Sequence, residues 1–335
     1  MKPKMKRYGL DQCALYKIGS KARLALVLGD SVDRLLFLAS SANNYRVFLL
    51  PEETCQFTKK VTKERWVQEP KPELRRIHER IQKLLRRVTP PDYAHAAIKG
   101  RSYSSNAIVH KDAHRVATFD IRKFYPSTSK SHVYNFFADQ LQCAPDVAAL
   151  LTALTSYKGG SATDRTGLPT GSPLSPILSL YANKPLFEKL NNLALSNGLK
   201  FTCYVDDLTF SGDALPLGLT HLVKKALEQH GHLLSVNKTR IFRGNQGKHV
   251  TGVVIYKSKI YVPHSRFLKA RGVMAAIDAE AHAVGKLPLT QKLAGLLGEA
   301  AFLDKRYSSW AKRSYSDLKL VKEQAENEVV NDVPF

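Results

Sequence analysis

The chain has 335 residues, 44% of them hydrophobic, and carries 51 Lys and Arg against 29 Asp and Glu, a net charge of +22. That length and apolar content exclude a disordered chain and leave room for two or three subdomains. The charge selects a polyanion as partner, and nucleic acid fits better than an anionic membrane. No stretch is both strongly basic on one helical face and bulky-apolar on the other.

No run has the length of a membrane span, and the most apolar, "RLALVLGDSVDRLLFLA", is broken by Gly29, Asp30, Asp33 and Arg34. The N-terminus lacks the apolar core of a secretory signal. Cys13, Cys55, Cys143 and Cys203 are scattered without C-x-x-C pairing. Disulfides and zinc are therefore not expected, and a cytoplasmic location is.

In chain order, residues 10–50 read as helices, with Ser20 and Ser31 as N-caps and Gly29 as a stop. Residues 56–69 mix β-branched and aromatic residues with Lys59, Lys60, Lys63 and Arg65 and predict a strand, ended by Pro70 and Pro72. "ELRRIHERIQKLLRRV" follows as a basic helix with Leu74, Ile77, Ile81, Leu84 and Leu85 on one face. "RVATFDIRKFYPS" reads as a strand ending at Asp120 and turning near Pro126. Helices are expected over 129–141 and 145–156, then a Gly-rich loop, "KGGSATDRTGLPTGSPLSP", and a helix from Pro176 to Ser196.

The stretch "KFTCYVDDLTFSG" alternates Phe201, Cys203 and Val205 before Asp206 and Asp207 with Leu208 and Phe210 after them. Period-2 alternation around an acidic pair predicts a hairpin with both carboxylates at its tip, where Asp tolerates positive φ. Beyond it lie a helix at 217–230, a strand at 239–243, a hairpin across 249–262 and a polar helical block. Sheet and helix alternate without a βαβ series, so the fold class is α+β.

A fixed acidic pair in a chain of charge +22 calls for a reason. Asp120 ends one strand and the pair tips a hairpin, so the three can meet. Transfer of a phosphoryl group to a hydroxyl uses two divalent ions about 3.5–4 Å apart. Mg²⁺ suits such oxygen donors, because it needs only a few carboxylates besides water and substrate phosphate. The plain alternative is that each Asp caps a turn.

The surroundings favour the metal reading. "Phe119-Asp120" with "Phe124-Tyr125-Pro126-Ser127", then "Leu168-Pro169-Thr170-Gly171-Ser172-Pro173-Leu174-Ser175-Pro176", then "Tyr204-Val205-Asp206-Asp207" occur in that order. Together they resemble motifs A, B and C of the reverse transcriptase family. "Val236-Asn237-Lys238-Thr239" looks like motif D. "Asn106-Ala107-Ile108-Val109-His110" and "Val250-Thr251-Gly252" resemble elements of retron reverse transcriptases, as does the lack of a maturase or nuclease domain.

The resemblance implies a right-hand polymerase fold: an N-terminal helical extension over 1–50 and fingers over 51–119. It places a palm of antiparallel sheet and helices over 120–262, with a fingers insertion at about 138–170, and a helical thumb over 263–335. It implies an RNA-directed DNA polymerase using Mg²⁺ (two ions, with Mn²⁺ as a substitute) and deoxynucleoside triphosphates. The implied template is a dedicated structured RNA, primed from one of its own 2′-hydroxyls to give a branched RNA–DNA product. The implied setting is anti-phage defence beside an effector protein.

By resemblance, Asp120, Asp206 and Asp207 and the Ile121 carbonyl hold metal, and Lys238 protonates the departing pyrophosphate. Lys63, Arg65, Tyr125, Thr170 and Gly171 meet the nucleotide, and Tyr125 lies under the incoming sugar. Arg101, Asn106, His110, Val250, Thr251, Gly252, Arg266 and Lys269 meet RNA, the last two among basic and aromatic residues of the C-terminal block. Thr170 departs from the Gln of many relatives, and Arg122-Lys123 brings positive charge close to the acids. Two alternatives stand beside the retron type: another bacterial reverse transcriptase, group II intron-like or defence-associated, and an inactive RNA-binding scaffold.

Overall fold

A computed structural model describes residues 6–159 and 166–331, so part of the Gly-rich loop, 160–165, lies outside the described residues. Among the described residues twelve strands run in chain order: β1 Tyr45–Leu50, β2 Glu53–Thr54, β3 Val61–Thr62, β4 Arg65–Pro70, β5 Arg115–Arg122, β6 Lys200–Tyr204, β7 Asp207–Gly212, β8 Leu233–Leu234, β9 Arg240–Phe242, β10 Lys248–Val250, β11 Val253–Tyr256 and β12 Lys259–Tyr261. Every pairing among these strands is antiparallel. The chain forms two compact units, one of Met1–Pro51 with Glu64–Gly244 and one of Glu52–Lys63 with Asn245–Phe335.

The first unit is built on a five-stranded sheet in which β5 is central. It pairs with β7, β8 and β9, and β7 continues to β6. The strand "RVATFDI" is buried on both faces of the sheet, through Val116 on one and Ala117, Phe119 and Ile121 on the other. Phe210 packs edge-to-face on Phe119 with centroids 5.7 Å apart and touches Phe201 at 4.9 Å.

Helices Lys21–Leu28 and Val32–Ser40 start where Ser20 and Ser31 accept hydrogen bonds from Arg23 N and Arg34 N. Helix Pro72–Leu85 buries the expected face, and His78 with it. Residues 45–50 form β1, not the helix expected, because the alternation of "YRVFLL" is used in a ladder with β4. The helix expected over 176–196 is two, Ser175–Ala182 and Lys184–Ser196, since Pro185 has no N–H to continue the ladder through Asn183.

In the second unit, β10, β11 and β12 form a three-stranded meander where a single hairpin was expected. Helices His264–Ala279, Ala283–Leu303 and Ser308–Asn331 follow. The expected strand over 56–69 is divided: β2 and β3 pair as a small hairpin in this unit, while β4 belongs to the other. Phe57 of that hairpin packs against the small core that includes Val273 and Leu297, with the Lys292 ammonium 5.0 Å from its ring centroid.

All four cysteines are free, and among the described residues no helix is long and apolar enough to cross a membrane.

Buried histidines give the fold a pH dependence. Burial, the largest cause in each case, holds His78, His95 and His232 down to about 4 and His110 down to about 3. Their folded-state values lie below the unfolded 6.5, so the unfolded chain binds more protons throughout that window. Stability is fully present above pH 6.5 and is lost as pH falls toward 4, by up to ~3 kcal/mol for each fully buried ring. Thermal melts from pH 7 to 4.5 should show a steadily falling midpoint. A flat profile would mean these rings are protonated in the folded state.

Candidate active site

The register of the central sheet brings the three acids together. Asp120 on β5 pairs with Asp207 on β7, and Tyr204 pairs with the same Asp207 across the hairpin. The turn therefore consists of Val205 and Asp206, with Asp207 already in the ladder. The Ile121 amide donates to the Asp206 carbonyl oxygen at 3.0 Å, tying the turn to β5. Positive φ falls on Val205, at +59°, and on neither aspartate. A β-branched residue in that region is strained by ~1–3 kcal/mol, at the turn position where glycine is the usual choice.

Asp120 is buried, and Asp206 and Asp207 are half-buried. Burial first, then the neighbouring acids, raises the Asp206 carboxyl above its usual range and pushes Asp207 up to about 7. Lys238 is the cation at this site: its Nζ lies 2.7 Å from Asp120 Oδ2, and that hydrogen bond raises its own proton affinity. It is delivered by a 3₁₀ turn over Val236–Lys238, placed by β8 and by the Ser235 amide on the Asp120 carbonyl at 2.8 Å.

Three carboxylates with one lysine leave a local excess of negative charge that a divalent cation would satisfy. Among the described residues no three His, Cys, Asp or Glu side chains already enclose a point. The donor set is open, as suits Mg²⁺, which takes substrate phosphate and water for much of its shell. The acids fit such an ion.

Tyr125 lies beside this cluster in a short helical turn, Phe124–Ser127, so the strand expected to end at Asp120 runs on to Arg122 and then turns. Phe124 and Tyr125 do not point to opposite sides of an extended segment. Their rings are neighbours, with centroids 6.0 Å apart. Phe124 is in the core, while Tyr125 is half-buried, its hydroxyl pushed up by burial and then by Asp206. The Tyr125 carbonyl accepts from the Leu168 amide at 3.0 Å, which docks the Leu168–Leu174 loop on this turn. A Cβ at Gly167 would meet the Pro126 carbonyl oxygen, and φ there is +102°.

Thr170, expected at the nucleotide, anchors its own loop. Its hydroxyl donates to the Trp66 carbonyl or to Gln68 Oε1, each at 3.1 Å, and its amide donates to the same Gln68 oxygen. Gly171 lies so close to β4 that a Cβ would stand 2.8 Å from the Gln68 carbonyl. The buried Gln68 was missed from sequence; its signal is a polar residue at an inward position of a strand.

Several expected RNA contacts are not available to RNA. Asn106 and His110 are fully buried. His110 joins Ser211 Oγ at 2.6 Å to Thr202 Oγ1 at 2.7 Å, bracing β7 to β6. Arg101, partly exposed, also braces the protein's own loop, donating to the carbonyls of Pro91 at 2.7 Å and Ala94 at 2.6 Å.

In the second unit Val250 is fully buried, and Thr251 and Gly252, with φ +43° and +79°, form the two-residue turn between β10 and β11. Arg266 pairs with Glu299 at 2.7 Å. Lys269 lies half-buried one turn further along the same helix. Lys63 and Arg65 are exposed, but Lys63 falls in the second unit and Arg65 opens β4 in the first, so they do not share a strand.

Three carboxylates and a lysine gathered at one end of an antiparallel sheet make a candidate site for nucleotidyl transfer. Residues 40–255 match the family described as reverse transcriptase (RNA-dependent DNA polymerase), and the chain belongs to that family, with its right-hand polymerase fold.

Among curated proteins it is similar to the retron Se72 reverse transcriptase of Salmonella heidelberg (strain 579083-10), 34% identical over 58% of this chain and 49% of that one. It is also similar to the retron Mx162 reverse transcriptase of Myxococcus xanthus, 27% identical over 80% of this chain and 59% of that one. A third is the retron Ec86 reverse transcriptase of Escherichia coli, 24% identical over 72% of each chain. The chain spans about half the length of the first and under two thirds of the second.

Proposed function

We propose that the protein is an RNA-directed DNA polymerase of the retron type. The single observation that carries this is the pairing of Asp120 with Asp207 beside the Val205–Asp206 turn, with Lys238 on Asp120. In this reading Asp120, Asp206, Asp207 and the Ile121 carbonyl hold two Mg²⁺ ions, which supply Lewis-acid stabilisation of the attacking and leaving oxygens. Lys238 keeps its proton through the Asp120 ion pair and gives it to pyrophosphate as that pair opens.

Residues 51–119 serve as fingers, 120–262 as palm and 263–335 as thumb, behind an N-terminal extension over 1–50. Thr251, Gly252 and Lys269, with the other thumb cations, meet RNA through phosphates. Lys63 and Arg65 meet the triphosphate.

The substrate in this reading is a dedicated structured RNA primed from its own 2′-hydroxyl, within a cytoplasmic anti-phage system that includes an effector protein. The support is the similarity to retron relatives and the +22 charge. The test is to isolate and sequence the nucleic acid that copurifies with the protein. A short DNA joined to a structured RNA is expected. Activity on a generic primed RNA with no such product would favour another reverse transcriptase class, and no extension at all the inactive scaffold.

Tyr125 sets sugar choice in this reading. A ribose 2′-hydroxyl would collide with its ring, which rejects the wrong substrate without improving the right one. Tyr125→Ala should keep DNA synthesis and raise ribonucleotide incorporation by ~10-fold or more. Phe124→Ala should instead destabilise by ~3–5 kcal/mol, since that ring is in the core. Competing ribo- and deoxyribonucleotides on one template measure the ratio, and unchanged discrimination in folded Tyr125→Ala protein would move the gate elsewhere.

A further inference from the structure

The Leu168–Leu174 loop has neither helix nor strand to hold it, and Pro169 and Pro173 remove two of its amides. Its shape comes from side chains on other elements. Gln68 of β4 holds Thr170, Gln82 donates to the Pro173 carbonyl, and Ser175 donates to the Pro169 carbonyl at 2.6 Å. The least expected of these anchors is His78, a fully buried imidazole in an otherwise apolar helix face.

The tautomer of His78 follows from its partners. Nε2 lies 2.8 Å from the Leu154 carbonyl oxygen, which can only accept, so Nε2 carries the hydrogen. Burial keeps the ring neutral, so Nδ1 is a bare acceptor. It lies 2.7 Å from Ser172 Oγ, and the Ser172 hydroxyl must therefore donate to it. The same oxygen accepts the Leu174 amide at 3.1 Å. The donor order is thus fixed from Leu174 N–H to Ser172 O–H to His78 Nδ1, and from His78 Nε2–H to Leu154. At its other end the loop holds the Tyr125 carbonyl through the Leu168 amide.

We propose that His78 is a positioning residue for the polymerase site: through Ser172 it fixes the loop on which Tyr125 rests, and thereby the fit of the incoming nucleotide. The inference rests on the polymerase reading. A histidine that merely filled space would be replaced by any side chain of similar volume. A positioning histidine requires the acceptor at the Nδ1 place.

That difference is testable with two amides. Asn places an oxygen near the Nδ1 position and can accept from Ser172, whereas Gln reaches toward Leu154 and leaves Ser172 without its acceptor. His78→Gln and Ser172→Ala should each raise the nucleotide KM by about tenfold, the worth of one orienting hydrogen bond, with a smaller change in kcat. His78→Asn should recover most of the affinity. The double variant His78→Gln with Ser172→Ala should be no worse than either single one, because both act through one contact.

Equal kcat losses in His78→Asn and His78→Gln with KM unchanged, or additive effects in the double variant, would overturn the inference. Amide hydrogen exchange at Gly171 and Leu174 gives a readout that needs no activity. It should be faster in His78→Gln and Ser172→Ala than in His78→Asn, and equal rates in all would also overturn the proposal. A wild-type protein that extends no primer would instead defeat the polymerase reading, and the exchange rates would still decide whether His78 holds the loop.

Discussion

Asp206→Asn is expected to abolish DNA synthesis while leaving RNA binding near normal and the folded protein no less stable. The substitution changes no shape: the main chain of residue 206 keeps its bond from the Ile121 amide, and the new side chain has the same outline. What it removes is one of three negative charges crowded into a half-buried site. In the free protein that charge is unfavourable, since Asp206 is among the groups that push Asp207 up to about 7. Its loss should let the Asp207 carboxyl ionise more readily and should hold or raise the melting temperature.

In the proposed mechanism the same charge would bind the cations, and single electrostatic groups of this kind contribute ~10²–10³-fold to the rate. Primer extension, filter binding and a thermal melt on one preparation measure the three effects. Near-wild-type extension would sink the assignment of the acids. A fall in stability together with RNA binding would show that the turn had unfolded.

Lys238→Ala is expected to slow the maximal rate by about 10²-fold with little change in nucleotide KM, the signature of a lost general acid. The ion pair sharpens this expectation, because two other roles are open to a lysine 2.7 Å from Asp120. A phosphate-binding cation would appear as a rise in KM alone. A neutralising cation would be replaced by arginine with little loss, as the guanidinium keeps its charge. A proton donor would not, because arginine does not release a proton near neutral pH. Lys238→Arg is therefore the decisive companion, and it should be nearly as slow as Lys238→Ala. The raised proton affinity of Lys238 keeps it charged through neutral pH. The rate of the wild type should fall only as pH rises well into the alkaline range, and that limb should vanish in both variants.

The site was more legible than its supports. Asp120, Asp206 and Asp207 announce themselves because acids inside apolar alternation contradict the burial pattern, and Lys238 follows from the motif beside them. The helix caps at Ser20 and Ser31 and the apolar face of Pro72–Leu85 are local properties and were equally clear. Two readings failed for one reason. The ladder of β1 and the split of the 56–69 strand are each decided by a partner distant in sequence, whereas the break at Asn183 is local and set by Pro185. Likewise the resemblance placed Asn106 and His110 against RNA, and both are fully buried. Only folding shows that His110 braces two strands and that Arg101 holds a loop.

By itself the sequence determined the residue types gathered at the site, the period of most long elements and the net charge of +22, none of which needs a tertiary contact. The tertiary structure decided what depends on register and burial. It put Val205 rather than an aspartate in the strained turn position, paired Lys238 with Asp120 across 118 residues, and turned Thr170, Gln68 and His78 into supports of one loop. A hydrogen-bond donor carries no mark in the sequence of which acceptor it will meet. That choice is made when the sheet sets its register and water is excluded around it.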